Sequence, residues 1–261
     1  MKNILTIIFL FLFGFSSYAQ NYTVDYIEIF GNTIEDIKKI NPLVEANVYL
    51  SAIDLSGLET SNKKQSFINL MLPSILIAKY EIENSRNLAV EIISKKDLAT
   101  AEEIDYLSDL KRTYKCNNDT DLLSKLQTHP TSIVLGQAAL ESGWGTSRFY
   151  REANNVFGVW SYSINEPRIR ASVDREGASV FVRRYASLPE SIQSYFKTIA
   201  RGPYSLFRTE REKTKDVYQL TPYLKVYSEL KEEYVSRLEK LIRYNRLEQY
   251  DSYILKLKDR E

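Results

Sequence analysis

The sequence predicts a mainly α-helical fold with one small β-hairpin, and two observations carry that prediction. Beyond Lys63, apolar residues recur at three- and four-residue spacing, and glycine, proline and Asn/Asp breaks cut the pattern into helix-length pieces. Only between Val156 and Tyr185 does the pattern shorten to β-prone runs.

The first element is an address rather than structure. Lys2 precedes an apolar run from Ile4 to Phe15, and Ser17-Tyr18-Ala19 then offers a cleavage site. We read residues 1–19 as a signal peptide removed after Ala19, which makes the mature protein periplasmic or extracellular. No other run is apolar enough to suggest stable membrane insertion.

Residues 20–118 read as an N-terminal helical extension packed on the domain that follows, although the pattern before about residue 60 is mixed. Phe67, Leu70, Met71, Ile75, Ala78 and Ile82 mark a helix, and Pro73 predicts either a kink or two helices meeting. Ile104, Leu107 and Leu110 mark another, from about Leu98 to Tyr114. The main domain is expected over residues 119–250. Asp119 is placed to cap a short helix carrying Leu122, Leu123 and Leu126.

Pro130 suits the first turn of the next helix, which carries Ile133, Val134, Gln137, Ala138 and Leu140 and ends before Gly143. Val156–Ser161 and Ser179–Tyr185 form the expected hairpin. Ser187 and Glu190 make a capping box for a helix with Ile192, Phe196 and Ile199 inward, ended by Gly202-Pro203. A last helix, about Lys231 to Arg246, presents Tyr234, Leu238, Leu241 and Ile242 as core.

Composition removes several kinds of chemistry. Lys and Arg number 35 against 34 Asp and Glu, so no global basic field draws in nucleic acid. One cysteine, Cys116, and one histidine, His129, argue against a zinc site, an internal disulfide and Cys-His nucleophilic catalysis. His129, before Pro130, reads as a turn residue. No cofactor or metal is implied, so carboxylates, hydroxyls and the 19 tyrosines must do the work.

Glu141 is the candidate. It falls in the last turn of its helix, on the stripe of Val134, Gln137 and Ala138. There the unpaired carbonyls of the helix end and apolar neighbours such as Trp144 or Phe157 push a carboxyl pKa upward. A carboxyl that keeps its proton near neutral pH is what protonating a glycosidic oxygen requires.

The stretch from Gln137 to Gly145 (QAALESGWG), followed by Asn154-Asn155-Val156-Phe157-Gly158-Val159, resembles the signature of the bacterial N-acetylglucosaminidase family. The likeness continues through Phe181–Tyr185, Ser191-Ile192, Tyr227-Ser228-Glu229 and Tyr234-Val235, and within the family it is closest to the Bax-like subgroup. It covers roughly residues 65–247 and implies a lysozyme-like helical domain acting on peptidoglycan glycan strands.

By this resemblance Glu141 is the catalytic acid and Tyr227 an active-site tyrosine that orients a sugar or water. Gln137, Trp144, Asn155, Phe157, Gly158 and Tyr185 are the expected substrate-binding set, with Trp144 and Phe157 equally readable as core. The second carboxylate departs from the family pattern. Asp174 and Glu176 are both candidates, and Glu166 lies earlier in the same loop. Three outcomes stay open: hydrolysis at N-acetylglucosamine, lytic transglycosylation with an anhydro product, and a non-catalytic peptidoglycan-binding scaffold.

Overall fold

The computed structural model describes residues 22–172 and 179–259. The expected signal peptide, residues 1–19, lies outside the described residues, as do Asp174 and Glu176.

Ahead of the first helix lie short strands: β1 (Tyr22–Thr23), β2 (Ile27–Ile29), β3 (Leu43–Val44) and β4 (Asn47–Tyr49). The helical part of the extension begins with α1 (Thr60–Lys95), followed by α2 (Ala101–Tyr114). Then come α3 (Asp119–Lys125), α4 (Thr131–Ser142) and α5 (Arg148–Ala153). The hairpin strands are β5 (Arg168–Arg170) and β6 (Phe181–Arg183). Four helices follow: α6 (Leu188–Arg201), α7 (Ser205–Arg211), α8 (Val217–Leu220) and α9 (Glu232–Tyr244). A 3-10 segment, Thr221–Tyr227, joins the last two, and β7 (Ile254–Leu255) and β8 (Lys258–Asp259) close the chain. β1 pairs with β8 and β3 with β7, so the two ends of the described chain meet.

Pro73 does not split α1, which runs through it as one helix. Every residue from Phe67 to Ala78 is buried, and α1 packs along α4 and α6. That burial outweighs the backbone hydrogen bond lost at the proline, about 3 kcal/mol.

Asn118, rather than Asp119, caps α3 by accepting from the Asp121 amide at 2.8 Å. Ser187 caps α6 as expected, but the Glu190 carboxylate reaches the Ala186 amide (2.7 Å) in place of its own cap.

β6 finds its ladder partner in β5, in the register Ile169↔Val182, and not in Val156–Ser161. The latter stretch lies along the other side of β6, joined by a single bridge from Trp160 to Val182. Flanking arginines hide the lone apolar Ile169 from any periodicity, so the sequence reads β5 as a polar loop.

α4 is the centre of the molecule. Its residues from Thr131 to Ala139 are all buried, and it packs against α1, α9 and the Leu247–Ser252 turn. Gly136 permits this: a Cβ there would lie 2.9 Å from both Leu238 and Ile242 of α9. The bare N-terminus of α4 is tied down from the far end of the chain. Asp251 accepts from the Ser132 amide and hydroxyl, each at 2.7 Å. Among the described residues no helix is long and apolar enough to cross a membrane.

Candidate active site

Glu141 is half-buried in the last turn of α4, which stops at Gly143 in the left-handed conformation (φ 59°). Left-handed backbone continues through Trp144 (φ 58°) and Gly145 (φ 77°). For Trp144, an L-residue without glycine's freedom, this costs about 1–2 kcal/mol. Two bonds hold the turn: the Trp144 amide donates to the Ala139 carbonyl (2.9 Å), and the Gly145 amide to the Ser142 hydroxyl (3.0 Å).

Burial holds the Glu141 carboxyl above the usual carboxylate range, and a hydrogen bond from the Tyr234 hydroxyl opposes it. Four tyrosines feel the Glu141 charge: Tyr195, Tyr204, Tyr227 and Tyr234. Burial, aided by that charge, raises all four hydroxyls, so each stays a neutral donor at any ordinary pH.

Tyr227 ends the 3-10 segment, half-buried, with its ring stacked on Tyr234 at 5.5 Å and 6.2 Å from Tyr204. Tyr234 is core, as its helical spacing predicts, and its polar tip adds to that reading. It is buried with Leu238 and Ile242 in α9, yet its hydroxyl accepts from Gln137 Nε2 at 2.8 Å and donates to Glu141. Helical spacing locates a ring's face but not its polar tip.

Three expected substrate contacts turn inward. Gln137 is fully buried and its amide is consumed by two tyrosines, Tyr234 and Tyr195 (2.6 Å). Asn155 is fully buried as well. It donates to the Val159 and Arg183 carbonyls (3.0 and 2.8 Å) and accepts from the Val159 amide (2.9 Å), locking the base of the hairpin around Gly158. The Tyr185 hydroxyl donates to Ser194 at 2.8 Å inside the wall.

Phe157 is core, stacked 4.3 Å from Tyr195. Trp144 is half-buried, edge-on to Phe67 at 5.6 Å and under Lys64 Nζ at 5.2 Å. Gly158 (φ 64°) faces open space.

The hairpin carries a polar pair and two exposed rings of its own. Glu166 accepts from the Ser161 hydroxyl (2.7 Å) and pairs with Arg183 (3.1 Å). Burial pushes its carboxyl up, but those two partners, with the Ser163 and Tyr162 backbone amides, outweigh it and leave the net shift downward. Nearby, Trp160 and Tyr162 present exposed aromatic surface, ring centres 6.2 Å apart.

His129 is no turn residue. It is buried among Tyr195, Phe196 and Phe207, with Nε2 2.9 Å from the Tyr195 hydroxyl. No group of three or more His, Cys, Asp or Glu side chains is gathered to hold a metal among the described residues.

Comparison with known proteins agrees with the ordered motifs. Protein bax of Escherichia coli is 27% identical over 166 residues, 60% of this chain and 58% of its own length. Peptidoglycan hydrolase FlgJ of Salmonella typhimurium is 33% identical over 93 residues, 31% of this chain and 29% of its own. The chain thus matches less than two thirds of either relative. Among solved structures, the catalytic domain of the autolysin Auto from Listeria monocytogenes aligns with a TM-score of 0.46 and 22% identity, covering 75% of this chain and 91% of that one. The family model for mannosyl-glycoprotein endo-β-N-acetylglucosaminidase matches residues 116–247, half of the chain, and the protein belongs to that glucosaminidase family.

Proposed function

We propose that this protein is an exported glycoside hydrolase that cleaves the β-1,4 bond of N-acetylglucosamine in peptidoglycan strands, with Glu141 as general acid. The observation that carries the reading is the Glu141 carboxyl, half-buried at the end of α4, raised by burial and facing four neutral tyrosines. In such a site Glu141 gives its proton to the glycosidic oxygen as the bond to the anomeric carbon breaks. The departing sugar leaves as an alcohol and Glu141 is left as a carboxylate.

Water then adds to the anomeric carbon. Its proton goes to a second carboxylate, for which Asp174, Glu176 and Glu166 are the candidates, or the substrate's acetamido oxygen attacks first. The ionised state of Glu166 suits a base, and its partners Ser161 and Arg183 would have to share it. The exposed rings of Trp160 and Tyr162 suit the apolar faces of a sugar chain.

Mass spectrometry of digested peptidoglycan tests the reaction. Hydrolysis gives fragments that have gained one water and end in reducing N-acetylglucosamine. Anhydro products, lighter by one water, would replace this reading with lytic transglycosylation. Intact strands would leave a binding role.

A further inference from the structure

We infer that buried side chains from His129 to Tyr234 form a one-way hydrogen-bond chain ending on the Glu141 carboxyl, with His129, Tyr195 and Gln137 as positioning residues. The inference rests on Glu141 being the acid and adds how the donor facing it is oriented.

The polarity follows from what each atom can do. An amide oxygen only accepts, so Gln137 Oε1 takes the Tyr195 hydroxyl proton at 2.6 Å. The Tyr195 oxygen, its proton committed, must then accept from His129 Nε2 at 2.9 Å. On the other side, Gln137 Nε2 only donates, to the Tyr234 oxygen at 2.8 Å. The Tyr234 proton is thereby left for Glu141.

Turning the Gln137 amide over would reverse every link and move the histidine proton to Nδ1. That atom is buried and finds no hydrogen-bond partner among the described residues. An unpaired buried N–H is costly, whereas an unpaired lone pair facing positive charge is not. The charges that His129 feels are all positive, from Lys79, Arg211 and Lys215. The orphaned Nδ1 therefore fixes the direction of the whole chain from its far end.

Two consequences reach the reacting atoms. The Tyr234 hydroxyl donates toward the Glu141 carboxyl and favours its ionised form. As the Glu141 proton leaves, negative charge grows where a fixed donor already points, which strengthens the bond in the transition state. The groups that feel the Glu141 charge include Tyr195, Tyr204, Tyr227 and Tyr234, none of them a cation.

The chain has a single histidine, so ¹⁵N NMR of the imidazole, on protein without a histidine tag, needs no assignment. The expected spectrum has Nε2 protonated and Nδ1 bare, unchanged from neutral to mildly acidic pH. The opposite tautomer, or an imidazolium at neutral pH, overturns the inference.

Tyr195→Phe then frees the Gln137 amide to turn. kcat should fall about tenfold with KM within about twofold. The alkaline limb of kcat should move to higher pH, because ionised Glu141 loses its donor. A fall with an unmoved limb means Tyr195 is structural and also overturns the inference; if Tyr195→Phe fails to fold, the wild-type tautomer decides alone. An active Glu141→Gln removes the proposed function without touching the tautomer result. An inactive Glu141→Gln with a reversed tautomer sinks this inference only.

Discussion

Two regions of the molecule, the surround of Glu141 as an inner wall and the hairpin as an outer one, are built on opposite principles. The inner wall, from α4, α6 and α9, is closed: Gln137, Tyr195 and Tyr234 are buried and every link between them is made inside the protein. The outer wall, the hairpin, is open. It presents Trp160, Tyr162 and the Glu166–Arg183 pair to solvent and is anchored at its base by Asn155. The difference teaches a division of labour. A fixed acid needs a dry, fully satisfied surround, because an unmade buried hydrogen bond is expensive and moves a pKa. Under the proposed function a long polymer needs a face it can slide across, and the exposed rings of Trp160 and Tyr162 would offer one.

The sharpest way to break this comparison is at the acid. Glu141→Gln keeps shape and removes the proton, so turnover should fall about 10²–10⁴-fold. The fold should gain: an acid whose pKa is raised on folding loses stability as pH climbs from the ordinary glutamate range through its folded value. The variant should therefore melt higher than wild type at neutral pH, with the advantage vanishing in acid. Near-normal turnover in a folded sample removes Glu141 from the chemistry.

The outer wall comes next. One of Glu166→Gln, Asp174→Asn or Glu176→Gln should cost at least about 10²-fold in rate if a hairpin acid activates water. If all three singles and the triple stay within a few-fold of wild type, the acetamido group is the nucleophile.

The stacked tyrosines sharpen the inner wall. Tyr234→Phe removes a donor from Glu141 and should lower kcat about tenfold. Tyr227→Phe should lower it less, at a nearly unchanged melting temperature. Equal, stability-driven losses in both would make them ordinary core.

The smallest effects concern support. Gly136→Ala overpacks the α4–α9 seam and should cost about 1–3 kcal/mol of stability. Asn155→Ala leaves the Val159 amide and the Arg183 carbonyl without their side-chain partner, a loss of similar size. In that variant proteolytic cutting should begin in the hairpin, whereas Gly136→Ala should raise cutting throughout. The reverse pattern would contradict the two-wall picture.

What the sequence made legible follows the same line. The helices that build the inner wall announce themselves because burying one stripe repeats every three or four residues, as in Ile192, Phe196 and Ile199. The glycines after Glu141 mark the turn that leaves its carboxyl half-exposed. Periodicity is blind to what happens at a ring's tip, so Tyr234 reads as core alone and His129 as a turn.

A signal was present nonetheless. Gln137 on an otherwise apolar buried stripe, with tyrosines where phenylalanine would fill the same space, asks where the polar atoms go. The hairpin was harder. Its strands are three residues long, and the pairing of Ile169 with Val182 is invisible between arginines.

The central claim is that burial holds the Glu141 proton against the pull of its Tyr234 donor, and a titration tests it most directly. Carboxyl ¹³C spectra of wild type, with those of Glu141→Gln subtracted, isolate one resonance. Its midpoint should lie above that of an ordinary glutamate, roughly 4.3. A midpoint at or below that value would mean that Glu141 is already ionised at neutral pH, and the account of it as the acid would fail.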